Sequence, residues 1–387
     1  MEKREKLRYG MVGGSLGAFI GGVHRRAIAL EETAALCAGC FSSKAEKNRE
    51  TGAFYGLDEE RIYDSYEEMA QKEAAREDGI DFVSIVTPNH THYQIAKAFL
   101  EAGIHVACEK PLCFTVEQGE ELSRLAKEKN LYFAVTYTYT GYAMVKLARE
   151  MIRGGEIGDI VNVNAEYFQD WLIDEIGGGD QTTTKMSVWR TDPKKSGISN
   201  CVGDIGTHIE DTVAYMTGEH PKRIAAMLDY YGMDLELNAN ILVEFPSGAH
   251  GVYSCSQVCA GHLNGLVVRI FGSKGSIEWK QEEPDRLHVT RKGQPEQIYS
   301  RGTGYVTGRA AELNHIPSGH PEGLTYAFAN IYHGFMYAVK CAVNGETPEK
   351  EKADFPTVDD GVKGVRFVQA AVKSGKEDAA WESIEEN

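Results

Sequence analysis

Short apolar runs alternate with longer amphipathic stretches over the first third of the 387-residue chain. LRYGMVG, Leu7 to Gly13, predicts a strand, and the following stretch a helix ending near Leu30. AALCAGCF predicts a second strand, followed by a polar helix from Lys44. SYEEMAQKEAARE has helical spacing, and DFVSIVTP is a buried strand stopped at Pro88. HYQIAKAFLEAG reads as a helix closed by Gly103, IHVACEK as a strand stopped by Pro111, and VEQGEELSRLAKEKN with LYFAVTY repeats the cycle. Strands alternating with helices of this length predict βαβ units, hence a parallel sheet with right-handed crossovers.

The pattern changes near Tyr137. A helix over Tyr142–Arg153 and the strand-like GDIVNVNAEYF lead into a Gly-, Thr- and Lys-rich stretch from Gly177 to Gly197. DIGTHIEDTVAYMTG is helical by its apolar spacing. ANILVEF and AHGVYSCS flank Pro246-Ser247-Gly248, and LVVRIFG and SIEWK flank Ser273-Lys274, so both pairs predict β-hairpins. A polar loop from Arg301 to Gly323, long enough to act as a lid, precedes the helix LTYAFANIYHGFMYAVK, and TVDDGVKGVRFVQAAVKSG supplies another. The expectation is an α/β chain of two domains. Residues 1–136 form the domain with the parallel sheet, and residues 137–387 an α+β domain with a large, mainly antiparallel sheet.

Composition narrows the function. Hydrophobic residues make up 42% and charged residues 25%, as in a folded globular protein. With 41 Lys and Arg against 57 Asp and Glu, the net charge of −16 argues against a nucleic-acid partner. No apolar run is long enough to span a bilayer, and the charged N-terminus has no signal-peptide core, so a cytoplasmic location is expected. Eight cysteines are too sparse for a disulfide scaffold. The pair Cys37 and Cys40 lies in strand-like sequence without a second Cys or His pair at finger spacing, so free thiols and no metal are expected.

Gly13, Gly14, Gly17 and Gly21 follow the first strand and open a helix, the position at which a dinucleotide pyrophosphate sits on helix N–H groups. Ser15 occupies the usual second glycine of G-x-G-x-x-G. Ser15, Leu16, Phe19 and Ile20 share this turn as cofactor contacts. Beyond the second strand, Ser42, Ser43 and Lys44 stand where an acidic ribose contact is usual, and suit a 2′-phosphate, so NAD and NADP both remain open. Thr87, Pro88, Asn89 and His92 end the third strand, and Glu109 and Lys110 the fourth. All six are expected to face a cofactor, because open parallel sheets bind ligands beyond their carboxyl ends. Asp204 and His208 lie four residues apart on one helical face. Asp204 could equally cap that helix, and no third ligand at recognisable spacing supports zinc.

The Gly-rich turn, VTPNHTH, EKP, WRTDPKKSG and GDIGTH, in this order, resemble the Gfo/Idh/MocA oxidoreductase family of glucose-fructose oxidoreductase, inositol dehydrogenase and their relatives. The resemblance spans nearly the whole chain, and EKP with D-x-G-x-H is its specific part. It implies a Rossmann NAD(P)-binding domain over residues 1–136 and a substrate-binding and oligomerisation domain over residues 137–387, in a homodimer or homotetramer acting on a ring hydroxyl of a sugar, cyclitol or sugar derivative. The family's catalytic lysine maps onto Lys110, its aspartate and histidine onto Asp204 and His208. Its sugar pocket draws attention to Tyr137, Lys185, Trp189, Arg190 and His320, because aromatic faces pack on C–H surfaces while Arg and Lys bind hydroxyls.

The chemistry suits those residue types. Oxidising a secondary alcohol requires a base for the hydroxyl proton, and an imidazole with an ordinary pKa of about 6.5 exchanges it near neutrality. Lys110 would stabilise developing alkoxide charge or share the relay, and Asp204 would orient its partners. Two other readings keep the fold. One is a glycosidase that oxidises transiently, eliminates the aglycone and re-reduces, with Tyr137 or His320 as a second acid/base. The other is a non-catalytic nucleotide-binding regulator.

Overall fold

The computed structural model describes residues 6–176 and 190–384, which divide into two compact units. The first comprises residues 1–141 and 324–362, the second residues 142–323 and 363–387.

In the first unit five parallel strands follow the expected apolar runs: β1 (Leu7–Gly13), β2 (Ala34–Cys40), β3 (Phe82–Val86), β4 (His105–Cys108) and β5 (Phe133–Val135). Between them lie α1 (Phe19–Leu30), α2 (Ala45–Phe54), α3 (Tyr66–Ala74), α4 (His92–Glu101) and α5 (Val116–Glu128). Ser65 and Thr115 cap α3 and α5 with their hydroxyls, fixing two of the helix starts. β3 is buried at every residue, as a strand covered on both faces must be. The sheet order β2-β1-β3-β4-β5 puts the sheet's reversal of strand order between β1 and β3, where open α/β sheets bind their ligands.

The division expected after residue 136 needs a correction, because residues 324–362 belong with the first unit. The helix Leu324–Val343 carries Phe328, Tyr332, Phe335, Met336 and Val339 as an apolar stripe, and all five join the core with Tyr9, Val23, Ile28 and Phe82. Phe82 meets Phe335 edge-on at 5.3 Å and stacks on Tyr9 at the same separation. A Cβ on Gly141 would lie 2.1 Å from the Ala327 carbonyl oxygen, so only glycine allows this helix so close to the turn Thr138–Gly141.

The second unit is built on a nine-stranded sheet. Its strands are β6 (Ile160–Phe168), β7 (Arg223–Asp229), β8 (Asn238–Glu244), β9 (His250–Ser256), β10 (Gly265–Gly272), β11 (Gly275–Lys280), β12 (Arg286–Arg291), β13 (Gln297–Ser300) and β14 (Glu382–Ser383). The order is β13-β12-β11-β10-β6-β9-β8-β7-β14, and every neighbouring pair is antiparallel except β6 with β9. Both expected hairpins, β8–β9 and β10–β11, form. One face buries Val163, Tyr167, Val268, Ile270, Ile277 and Trp279, with Tyr142 5.3 Å from Trp279 just ahead of α6 (Ala143–Arg153). The sheet also exposes Met227, Leu242, Phe271 and Ile298.

The loop after β13 is not a loose flap. The Arg301 guanidinium is buried and bonded to the Asp285 carboxylate, the Asn314 side chain and the Ile316 and His320 carbonyls, and it pairs with Glu322 at 2.8 Å. Residues 308–312 form a short helix inside it. All eight cysteines are free thiols, and among the described residues no helix is long and apolar enough to cross a membrane. Cys37 and Cys40 sit on β2, where positions three apart point to opposite faces.

Candidate active site

Gly13 and Gly14 adopt φ of 86° and 71°, the left-handed region that side chains disfavour. A Cβ on Gly13 would come within 2.8 Å of the Val86 carbonyl oxygen, so glycine lets the end of β1 approach the end of β3. A Cβ on Gly21 would stand 2.3 Å from the Gly14 Cα, so a third glycine lets α1 press onto the turn. Gly17 at φ 82° has only open space around its would-be Cβ. No side chain caps the first turn of α1, whose N-cap is Ala18, so its N–H groups are available to an anion. Ser15, Leu16 and Ile20 are partly exposed around this turn and Phe19 is 69% exposed. The Leu16 N–H donates to the Thr51 hydroxyl. The residues present therefore fit a dinucleotide pyrophosphate, although Ser15 replaces the usual middle glycine.

At the end of β2, Ser43 and Lys44 are exposed and Ser42 partly so, and the Ser42 hydroxyl accepts from the Lys44 N–H. Beyond β3, Thr87 is partly exposed, Pro88 exposed, and Asn89 begins a short helical turn ending at Thr91. His92 behaves differently from the sequence expectation. Its ring is fully buried, with Nδ1 2.8 Å from the Pro111 carbonyl oxygen and Nε2 2.8 Å from that of Thr87. Burial pushes its pKa below the ordinary range, while the two carbonyls oppose that by favouring the protonated ring. His92 thus ties the end of β3 to the Lys110–Pro111 turn, and its side chain is a brace with no surface left for a cofactor.

Glu109 also turns inward. Burial alone would raise its carboxyl, but the hydrogen bond and charge of His24, the charge of Lys110 and the Thr136 hydroxyl hold it down to about 2. His24 Nε2 lies 2.8 Å from Glu109 Oε1, which also accepts from Thr136 Oγ1 at 2.7 Å. Glu109 Oε2 accepts the Lys110 backbone N–H. On the other side of the ring, His24 Nδ1 is 2.7 Å from the Tyr332 hydroxyl, itself 2.8 Å from Ser84 Oγ. An ionised Glu109 therefore anchors the backbone of Lys110, a residue that is itself partly exposed. Tyr137, just past β5, is buried.

In the second unit Asp204 lies in a π-helical turn, Val202–Gly206, that runs directly into α7 (Thr207–Thr217) with His208 in its first turn. Such turns favour function over regularity. Asp204 does not cap this helix. Ser199 Oγ accepts from the Gly203 N–H, and buried Glu236 Oε1 accepts from the N–H groups of Asn200 and Val202. Asp204 Oδ2 instead accepts from Gln257 Nε2 at 2.9 Å and lies 3.4 Å from Arg190 Nε. The Arg190 guanidinium stands 5.6 Å from the centroid of Trp171. The His208 ring is 7% exposed and tilts against Tyr167 at 6.2 Å. The Tyr167 hydroxyl donates to Asn264 Oδ1, which also accepts from Gln169. His320 is exposed, its carbonyl engaged by Arg301. Lys185 and Trp189 lie outside the described residues.

The structure thus gathers Gly13, Gly14, Thr87 and Lys110 along one sheet edge, and Arg190, Asp204 and His208 around one helix start. Sequence reasoning missed His24, Thr136, Tyr332, Asn200 and Gln257. Only His24 leaves a local signal: it occupies an apolar position of α1 beside Val23, Ala27 and Ile28. Tyr332 is 308 residues away from its histidine partner.

Comparison with known proteins follows the same division. Residues 7–137 match an oxidoreductase family with an NAD-binding Rossmann fold, and residues 145–278 match the GFO/IDH/MocA C-terminal domain. The chain is 37% identical to the uncharacterized oxidoreductase YfiI of Bacillus subtilis over 97% of its own length and 96% of the relative's. It is similar to the crystal structure of an inositol dehydrogenase homolog from Azotobacter vinelandii complexed with NADH and myo-inositol, with a TM-score of 0.90 and 36% identity. That likeness covers 98% of this chain and 99% of the other. Levoglucosan dehydrogenase of Pseudarthrobacter phenanthrenivorans is 31% identical over 54% of this chain and 58% of its own.

Proposed function

The chain belongs to the Gfo/Idh/MocA family of NAD-dependent oxidoreductases, and from that premise we propose that it transfers hydride at a secondary hydroxyl of a sugar or cyclitol. Lys110 and His208 act as its proton relay and Asp204 as their orienting carboxylate. The observation that supports this most is the setting of Lys110. A buried, ionised Glu109 fixes its backbone at the carboxyl edge of the NAD-binding sheet, and the residue itself is partly exposed. Among the relatives, an inositol dehydrogenase homolog is complexed with myo-inositol and another is named levoglucosan dehydrogenase.

Gly13, Gly14 and the first-turn N–H groups of α1 hold the pyrophosphate, with Leu16, Phe19 and Ile20 beside it. Thr87, Pro88 and Asn89 line the approach to the nicotinamide. When bound, the nicotinamide supplies the two-electron acceptor or donor. Lys110 holds the substrate oxygen and stabilises the charge that develops on it, at a position fixed before substrate arrives. His208 takes or returns the hydroxyl proton, and Asp204 keeps that residue and Arg190 in register. Tyr137, Lys185, Trp189, Arg190 and His320 are the candidates for binding the neighbouring hydroxyls. Ser42, Ser43 and Lys44 would admit a 2′-phosphate, so the cofactor is NAD or NADP. Met227, Leu242, Phe271 and Ile298 on the second unit's sheet support a homodimer or homotetramer, and eight free thiols suit the cytoplasm.

Turnover of myo-inositol, scyllo-inositol and levoglucosan with NAD or NADP, followed as nucleotide reduction, tests this reading. Lys110→Ala is expected to abolish turnover and leave nucleotide affinity within a few-fold. Full activity in that variant removes lysine from the mechanism.

A further inference from the structure

We propose that Asn200 and Gln257 form a two-amide relay that orients the Asp204 carboxylate, making both positioning residues for proton transfer. The proposal deepens the reading of Asp204 given above and rests on it. Gln257 follows β9, and its main chain is fixed on both sides: its N–H donates to the Leu237 carbonyl at 2.9 Å, and its own carbonyl accepts from the Leu172 N–H at 3.0 Å. Its side chain is fully buried. Asn200 is 2% exposed, and its Nδ2 donates to the main-chain carbonyl of Glu236 at 3.3 Å and to Gln257 Oε1 at 2.6 Å. Gln257 Nε2 then donates to Asp204 Oδ2 at 2.9 Å.

The direction of this chain is set at its far end. A main-chain carbonyl can only accept, so the Asn200 amide must turn its NH2 group toward Glu236. That leaves Gln257 to present its oxygen to Asn200 and its NH2 group to Asp204. Flipping either amide would place two donors or two acceptors face to face among buried groups, a higher cost than the one buried acceptor, Asn200 Oδ1, that the orientation shown leaves without a partner. A backbone carbonyl thus dictates, through two side chains, that Asp204 meets a donor. The same arrangement leaves Asp204 free of helix-capping duty, which Ser199 and Glu236 perform.

The other titratable and charged groups around Asp204 come from several elements. Arg190 Nε is 3.4 Å away, and His208 follows one turn later on α7. Cys201, a fully buried thiol beside Cys255 of β9, is pushed well above its ordinary range by burial, with Asp204 adding to that push. Glu236, raised by burial, holds the main-chain N–H of Asn200. Arg190 brings a fixed positive charge to within ion-pair distance of Asp204, and the amide relay adds a neutral hydrogen-bond donor.

Gln257→Met preserves length and removes both hydrogen bonds, and Asn200→Asp puts an acceptor where the relay needs a donor. Two readouts separate the relay from the role of Asp204. The first is the pH titration of the Asp204 side-chain carbon by 13C NMR, assigned by its loss in Asp204→Asn. The second is the pH dependence of kcat and KM with myo-inositol, scyllo-inositol and levoglucosan. The relay predicts that both variants raise the carboxyl titration by about one pH unit or more, equivalent to a tenfold change in ionisation. Turnover falls as the carboxyl shifts and its pH dependence departs from that of wild type, while nucleotide affinity stays at the wild-type value. An unchanged carboxyl titration in folded Gln257→Met and Asn200→Asp overturns the relay. A shifted titration combined with undiminished turnover in Asp204→Asn keeps the relay and overturns the functional role of Asp204. Should Gln257→Met fail to fold, Asn200→Ala removes the anchoring donor with Gln257 in place and is read by the same titration.

Discussion

Replacing Glu109 with Gln keeps the shape of the buried side chain and removes its charge, so the charge can be weighed by itself. The carboxyl is held at about 2 against an ordinary 4.5. At about 1.4 kcal/mol per tenfold change, that gap corresponds to about 3 kcal/mol of stability at neutral pH. The group is buried, with 11% of its side chain exposed, so solvent screening removes little of it. A depressed carboxylate contributes fully above its unfolded value and loses that contribution as pH falls through its folded value. The stability difference between wild type and Glu109→Gln should therefore be widest at pH 6. It should narrow by about 1.4 kcal/mol at pH 3.5, since there the unfolded carboxyl is mostly protonated and the folded one mostly is not. Urea unfolding at pH 6 and pH 3.5, followed by near-ultraviolet circular dichroism for the phase that includes the first unit, measures both gaps. A gap that does not change between the two pH values would mean that Glu109 is not held ionised by His24, Thr136 and Lys110, and the argument for a prearranged Lys110 would lose its basis.

Other substitutions test the remaining parts of the account. Gly21→Ala forces a Cβ into the 2.3 Å space above the Gly14 Cα; it should cost about 1–3 kcal/mol and weaken nucleotide binding measured by calorimetry. Unchanged affinity would show that the turn does not hold the pyrophosphate. Lys44→Glu should weaken NADP binding at least tenfold and leave NAD within a few-fold; equal effects on both would place the 2′-phosphate elsewhere. Ser199→Ala removes the hydroxyl that accepts from the Gly203 N–H and should destabilise the protein by about 1 kcal/mol in thermal unfolding. His208→Ala should flatten the pH dependence of turnover, and a wild-type profile in that variant would rule out His208 as the titrating base.

The architecture was largely legible because its signals are local. Each strand of the parallel sheet is a short apolar run ended by Gly, Pro or a polar residue, and both hairpins of the second unit are announced by their turn residues. Gly13, Gly14 and Gly21 were legible as glycines, whereas the 2.3 Å approach of Gly21 to Gly14 depends on how α1 returns to the sheet. What sequence could not show was partnership at long range. Nothing local says that the apolar stripe of Leu324–Val343 joins the core of Tyr9 and Phe82, so the division near residue 136 missed it. The same limit applies to polar groups. Asp204 at a helix start reads as a cap until Ser199 and Glu236 are seen to hold that position. His92 and Glu109 read as cofactor contacts because they sit at strand ends, yet strand ends also need internal braces, and hydrogen bonds to Thr87, Pro111 and His24 turn both inward.

In the proposed function Lys110 serves a hydride-transfer reaction at a polyol hydroxyl. Single-turnover nucleotide reduction by wild type and Lys110→Met, with myo-inositol, scyllo-inositol and levoglucosan under saturating NAD or NADP, tests it most directly. Wild type should reduce nucleotide with at least one of these polyols, the variant should lose at least about a thousandfold, and both should bind nucleotide equally. Wild-type rates in Lys110→Met, or tight nucleotide binding without reduction by any of the three polyols, would contradict it.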